Sequence, residues 1–310
     1  MRNQSKINEL FLSGISAHAA LQLPLFLIFL VIYLLTIIWN SLIIVLIVTD
    51  SHLHVPMYFF LGNLAGIDLC FSSVTVPRML FDLHTKTRNI SIKACITQFF
   101  FFIFFAGCED CLLSAMSYDR YTAICRPLHY TQIMSWKVCV QLMTIVWCLG
   151  FIHSYIHTLN ASNLTFCGSD IIESFFCDLP QLFRISCSDI SINVLLIFLV
   201  GGFLAVGSLI LTILSYVYIL KTVLKIQTKG NRSKIFSTCT SHLTVMFLYY
   251  ISGLFNYFWQ CAGHTFSGDK IVAVFYAVIL PLLNPLVYSL RNQEIRTAFQ
   301  RVFRKILPPR

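Results

Sequence analysis

The sequence predicts an all-α membrane protein: a seven-transmembrane helix bundle with a short amphipathic C-terminal helix. Three observations predict it. First, 57% of the 310 residues are hydrophobic and only 11% are charged, whereas soluble domains carry about 25% charged residues. Second, the mean hydropathy is +0.76, so lipid is the expected solvent for most of the surface. Third, the apolar residues gather into seven stretches, each near the roughly 20 residues that a bilayer-spanning helix needs.

The elements follow in order. Residues 1–23 are expected to form an extracellular N-terminal tail, with no basic region and cleavage site of the kind that marks a removable signal peptide. The bundle is expected over 24–290, with spans near 24–49, 57–80, 96–122, 138–158, 192–220, 236–259 and 270–290. Spans two and three are less purely apolar, because they hold Asp68, Arg78, Glu109, Asp110 and Asp119. Residues 291–310 form the cytoplasmic end, where Ile295, Phe299, Val302, Phe303 and Ile306 recur at helical spacing among Arg and Gln. Such a helix lies along a membrane surface.

Orientation comes from the basic residues. A net charge of +9 would suit nucleic acid only as a basic stripe interleaved with aromatic residues. Here Lys and Arg sit in short segments between apolar runs, so no nucleic-acid partner is expected. Placing the C-terminus in the cytosol puts most of the 22 Lys and Arg inside, which is the usual bias. An odd number of spans then leaves the N-terminus outside. The sequons at Asn3, Asn89, Asn160 and Asn163 all lie outside in this topology and that at Asn231 inside; Asn3 is the expected glycosylation site.

Of the 12 cysteines, those at 70, 108, 111, 125, 139, 148, 239 and 261 fall in or beside spans, where a free thiol packs as a small hydrophobe. Cys95, Cys167, Cys177 and Cys187 map to the oxidising outer face and are expected to form disulfides. Four cysteines allow three pairings, and spacing alone does not choose among them.

Four blocks then point to a family. They are Leu53-His-Val-Pro-Met-Tyr-Phe-Phe-Leu61; Met116-Ser-Tyr-Asp-Arg-Tyr-Thr-Ala-Ile-Cys125 with Pro127-Leu-His-Tyr130; Lys234-Ile-Phe-Ser-Thr-Cys-Thr-Ser-His-Leu243; and Pro281-Leu-Leu-Asn-Pro-Leu-Val-Tyr-Ser-Leu-Arg-Asn292. In combination they resemble the olfactory receptors, a branch of the rhodopsin-like (class A) G-protein-coupled receptors. The second outer loop, through Phe175-Phe-Cys-Asp178, resembles the class II (tetrapod-type) subgroup. Departures are Trp39 before Asn40, Ser117 and Thr122, where the family usually has Gly, Ala and Val.

The resemblance implies Cys95–Cys177 and Cys167–Cys187 pairing. It also implies a small, uncharged volatile odorant as ligand, a stimulatory (olfactory-type) heterotrimeric G protein as partner, a rise in cAMP, and a plasma-membrane location in olfactory cilia. Lipid is the remaining partner. The expected ligand pocket lies in the outer half of the bundle, at Phe102, Ile103, Ala106, Gly107, Val200, Leu204, Tyr250, Gly253, Leu254, Tyr257, Val274 and Ala277. His153 and His157 on the fourth span are either polar contacts there or lipid-interface residues.

Ionisable groups at membrane depth cost roughly 2.5–3.5 kcal/mol on insertion scales, so each is a functional candidate. Asp68 and Glu109 facing one interior would repel unless a proton or a cation is shared. The resemblance suggests a sodium site with Asn40 and Asn284 as neutral oxygen donors; two protonated acids bonded to their neighbours are the other reading. No other cofactor is expected. Asp110 lies about 100° around the helix from Glu109 and either floors the pocket or faces a polar neighbour. For G-protein coupling the expected residues are Asp119, Arg120 and Tyr121, with Tyr216, His242, Asn284, Pro285 and Tyr288. Asp119 would hold Arg120 against its own helix until release exposes its donor fork.

Other functions fit less well. A non-olfactory rhodopsin-like receptor is the alternative nearest in kind. A transporter or channel would more naturally show internal repeats or broken half-helices. No metalloprotease, serine-hydrolase or paired Gly-Asp protease signature is present in the sequence, so no enzyme is expected.

Overall fold

The computed structural model describes residues 9–16, 18–85, 87–167, 169–225, 229–259, 269–291 and 293–306. The long helices are α1 (Ala19–Thr49), α2 (Pro56–Thr85), α3 (Ile92–Cys125), α4 (Trp136–Ser162) and α5 (Ser191–Leu224). They continue with α6 (Lys229–Gly253, prolonged through Leu254–Trp259), α7 (269–291) and α8 (Gln293–Ile306). Six of the first seven are long and apolar enough to cross a bilayer. The exception is α6, whose first half carries Ser237, Thr238, Thr240, Ser241 and His242. Most helices overrun the expected spans by several residues at one or both ends.

The packing is turned inside out relative to a soluble protein. Helix α1 buries Gln22, Thr36 and Asn40, while Leu27, Val31, Leu34 and Ile38 face outward. Helix α5 likewise buries Ser208, Thr212 and Ser215 and exposes Ile210, Leu211, Ile213 and Leu214. Water would not leave those aliphatic faces bare, whereas hydrocarbon does. Two apolar clusters fill the interior. One centres on Phe71, Phe99, Phe102, Phe175 and Phe176 at the disulfide end. The other centres on Leu64, Leu112, Leu113 and Met246 toward the Arg120 end.

At the disulfide end a three-stranded sheet forms from β1 (Glu9–Leu12), β2 (Asn89–Ser91) and β3 (Ile171–Ile172), in the order β2-β1-β3. Strand β1 runs antiparallel to β2 and parallel to β3. Within the segment 1–23 expected as an N-terminal tail, residues 9–12 form a paired strand with Leu10 and Leu12 buried, and α1 begins at Ala19. The chain turns out of β1 at Gly14, whose φ of +69° suits glycine. Arg88 donates to the carbonyls of Ser13 and Ser16, and Lys270 Nζ donates to Ser13 Oγ at 2.8 Å. Asn3 lies outside the described residues.

At the other end, α8 buries Ile295 and Ala298. Arg301 Nε donates to Asp50 Oδ2 at 2.9 Å, tying α8 to the turn between α1 and α2. Burial works to raise the Asp50 carboxyl, yet hydrogen bonds from His52 and Arg301 hold it below the usual carboxylate range.

Helices α3 and α4 meet glycine to glycine. A Cβ at Gly107 would sit 3.4 Å from Gly150 Cα, and one at Gly150 would overlap Cys108 Sγ and approach Phe104 O at 3.1 Å. Small residues allow such approach in membrane bundles. Gly150→Ala is therefore expected to destabilise the fold by about 1–3 kcal/mol, read as a lower thermal midpoint of the detergent-solubilised protein. Adding Cys108→Ala should recover part of that loss. An unchanged midpoint in the single variant would show that the helices part freely.

Candidate functional site

Between α3, α4, α5, α6 and α7 lies an internal cavity of about 170 Å³. Its walls are mainly apolar, and no Lys or Arg is among its lining residues. Arg78 is engaged elsewhere, with Asp82 at 2.9 Å and the Asn89 carbonyl at 2.6 Å. Of the residues expected there, Phe102, Ile103, Ala106, Gly107, Leu204, Tyr250, Gly253 and Leu254 line the cavity.

Val200, Val274 and Ala277 do not line it; Ile197, Gly201, Tyr276 and Leu280 do. The faces turned to the cavity keep regular helical spacing, with Ile197, Gly201 and Ala205 on α5 and Tyr276 and Leu280 on α7, but they are rotated from the expected ones. The stretches Ile197–Gly201 and Phe275–Ile279 are widened π-type turns. Ala277 is instead fully buried in the apolar core. The Tyr257 side chain lies outside the described residues.

The polar lining is sparse and placed on opposite sides. His153 and His157, one turn apart on α4, pack edge to face with ring centroids 4.7 Å apart and line the cavity, so they are not lipid-interface residues. On the floor, Ser208 Oγ donates to Asp110 Oδ1 at 2.8 Å and lies 2.7 Å from the Tyr250 hydroxyl. Both readings of Asp110 hold together: it floors the cavity and faces polar neighbours.

The roof is a contribution that periodicity could not reveal. The disulfide Cys95–Cys177, with Cα atoms 5.4 Å apart, pins the loop between α4 and α5 to the start of α3. Cys167–Cys187 closes the loop on itself. The next residue, Asp178, accepts from Asn256 Nδ2 at 2.8 Å and from the Tyr276 hydroxyl at 3.1 Å, so the loop is tied to α6 and α7. Leu179 then covers the cavity.

Below the cavity, Asp68 and Glu109 face one another across Asn284, all three at most 2% exposed. Asn284 Nδ2 donates to Asp68 Oδ1 and to Glu109 Oε1, each at 2.9 Å. Asn284 turns its N–H₂ toward the two acids, because carboxylates demand donors, and its Oδ1, like that of Asn40, is buried without a hydrogen-bond partner. Asn40 Nδ2 instead donates to the carbonyls of Thr36 and Pro281, holding α1 to α7.

At the far end, Arg120 lies against Asp119, with Nε donating to Oδ2 at 3.0 Å and Nη2 donating to the same oxygen. The hydroxyl of Tyr130, absent from the expected set, donates to Asp119 Oδ1 at 2.7 Å. Nearby, Tyr216 OH is 2.6 Å from His242 Nδ1, and the His242 and Tyr288 rings are 6.2 Å apart. The structure therefore brings Tyr216, His242 and Tyr288 together, on α5, α6 and α7. Tyr121 stands apart from them against Tyr218, and Pro285 lies within α7 just after Asn284.

Comparison with known proteins agrees with this layout. A family model described as "Olfactory receptor" matches residues 29–306. The chain is 44% identical to Olfactory receptor 5B12 of Homo sapiens over 305 residues, 98% of this chain and 97% of that protein. It is also 44% identical to Olfactory receptor 5AR1 of Mus musculus over 303 residues, 98% of each. The crystal structure of squid rhodopsin superposes with a TM-score of 0.67 at 18% identity, covering 94% of this chain and 88% of that one. That likeness is to the seven-helix fold of a G-protein-coupled receptor, and the sequence matches are to receptors rather than enzymes. With a full-length family match and relatives at this identity, the chain belongs to the olfactory receptor family.

Proposed function

We propose that the protein is an odorant receptor that sits in the plasma membrane with its N-terminus outside. It binds a small, uncharged volatile molecule in the cavity and activates a stimulatory G protein, raising cAMP. The cavity carries this reading. Its 170 Å³ is close to the roughly 150 Å³ of an apolar cavity that holds benzene, and its lining offers no cation for a carboxylate. Its floor residue Tyr250 belongs to α6, the helix that carries His242 two turns away at the Arg120 end. A ligand that shifts α6 therefore acts on both ends at once.

We further propose that the Asp68–Glu109 pair takes a sodium ion as an allosteric ligand. Asp68 Oδ2 is buried without a hydrogen-bond partner, so the site has an oxygen to offer. Two carboxylates sharing one interior are relieved by a cation.

One experiment tests both readings. The receptor is expressed with a trafficking aid, and cAMP is recorded across an odorant panel at low and high sodium. At least one volatile should raise cAMP, with a potency that depends on sodium in the native chain and not in Asp68→Asn. An odorant-evoked conductance that needs no G protein would overturn the receptor reading. Potencies indifferent to sodium would overturn the ion alone.

A further inference from the structure

We infer that the odorant carries a hydroxyl group, and that Asp110 on the cavity floor is the residue that selects for it. This rests on the reading of the cavity as the odorant site and narrows its ligand to alcohols and phenols.

The argument is one of hydrogen-bond supply. The Asp110 side chain is 5% exposed yet borders the cavity. Beside it lie the hydroxyls of Tyr250, which also lines the cavity, and of Ser208 just behind. A carboxylate has about four acceptor positions, whereas each hydroxyl brings a single hydrogen. Ser208 also reaches the Ala205 carbonyl at 3.0 Å, so its one hydrogen is contested. If Asp110 is protonated the network gains one hydrogen, and lone pairs still outnumber donors. The floor is thus acceptor-rich in either state. On the far wall, neutral His153 and His157 would each offer one donor and one acceptor, so the pair adds no surplus of hydrogens. A ligand hydroxyl meets the floor's deficit; an aldehyde, ether or hydrocarbon leaves it unmet.

The position of the acid supports a role in recognition. Glu109, its neighbour in sequence, turns into the bundle interior and accepts from Asn284. Asp110 turns instead toward α5 and α6, at the place where those helices and α3 converge under the ligand. Sites built to bond a substrate hydroxyl discriminate strongly against analogues that lack it.

The test is a matched panel: alcohol, aldehyde, methyl ether and hydrocarbon on benzyl, hexyl and cyclohexyl skeletons. It is run by cAMP with surface expression measured in parallel. The native chain should answer an alcohol about ten- to a hundredfold more potently than its matched analogues. In Asp110→Asn, which trades acceptor capacity for an N–H₂ donor, the preference should move toward the aldehyde. An aldehyde, ether or hydrocarbon as potent as the alcohol in the native chain would overturn the inference and leave the receptor reading standing. Silence to every member from a chain shown to be at the cell surface would overturn both. An Asp110→Asn variant at the surface with the native order of preference would reduce Asp110 to a clasp between helices, against the inference.

Discussion

Arg120→Ala is expected to cut odorant-evoked cAMP to about a tenth or less of the native response, while most of the protein still reaches the surface. Arg120 is held by one partner on its own helix, Asp119, and its side chain is only 15% exposed. Asp119 in turn keeps the Tyr130 hydroxyl when the guanidinium is gone, so the buried carboxylate is not left bare. The loss then falls on what the released Arg120 would touch. Charge-assisted bonds of this kind are worth about 1.5–3 kcal/mol, so coupling should weaken about ten- to a hundredfold. Arg120→Lys should not restore it, because an ammonium cannot reproduce the planar donor fork. Equal cAMP from Arg120→Ala and the native chain at matched surface level would remove Arg120 from the signalling path.

Much of this arrangement was legible because lipid imposes simple rules. Span number followed from length and hydropathy, and the inward-facing polar residues of α1 and α5 follow from the same rule read in reverse. The acids were legible as candidates because charge is costly at depth, and the 100° step between Glu109 and Asp110 separated them into two environments, as the structure shows. What periodicity could not show was how far each helix is rotated about its axis: Ile197, Gly201, Tyr276 and Leu280 line the cavity wall where Val200, Val274 and Ala277 were expected. Contributions from loops were equally hidden. Leu179 reaches the cavity roof because the Cys95–Cys177 bond and the hydrogen bonds from Asn256 and Tyr276 to Asp178 hold the loop there. Strand β1 pairs with segments distant in sequence, which an alternating tetrapeptide cannot specify. Asn284 stands beside the two acids, yet its orientation depends on which partners demand hydrogens, and that is a property of the assembled site.

Asn284→Leu should be the most damaging single substitution in the interior. The side chains share the same branching and number of heavy atoms, so the variant removes two hydrogen bonds while changing shape less than most substitutions would. It leaves Asp68 Oδ1 and Glu109 Oε1 without their shared donor at a site where all three residues are at most 2% exposed. Leaving a buried acceptor unmet costs about 1–3 kcal/mol for each group, more if it is charged, against a total stability of about 5–15 kcal/mol for a typical domain. Surface expression should collapse, and any solubilised protein should melt well below the native chain. The cause is open to a direct check, because a misfit leucine and an unmet pair of acids respond differently to a second change. Asp68→Asn in the same background removes one charge and supplies a new amide at position 68 that can donate to Glu109. If electrostatics dominate, the double variant is more stable than Asn284→Leu alone, and the two changes are strongly non-additive. If their effects simply add, the asparagine acts through its shape, and the bridging amide is not what holds α2, α3 and α7 together at this depth.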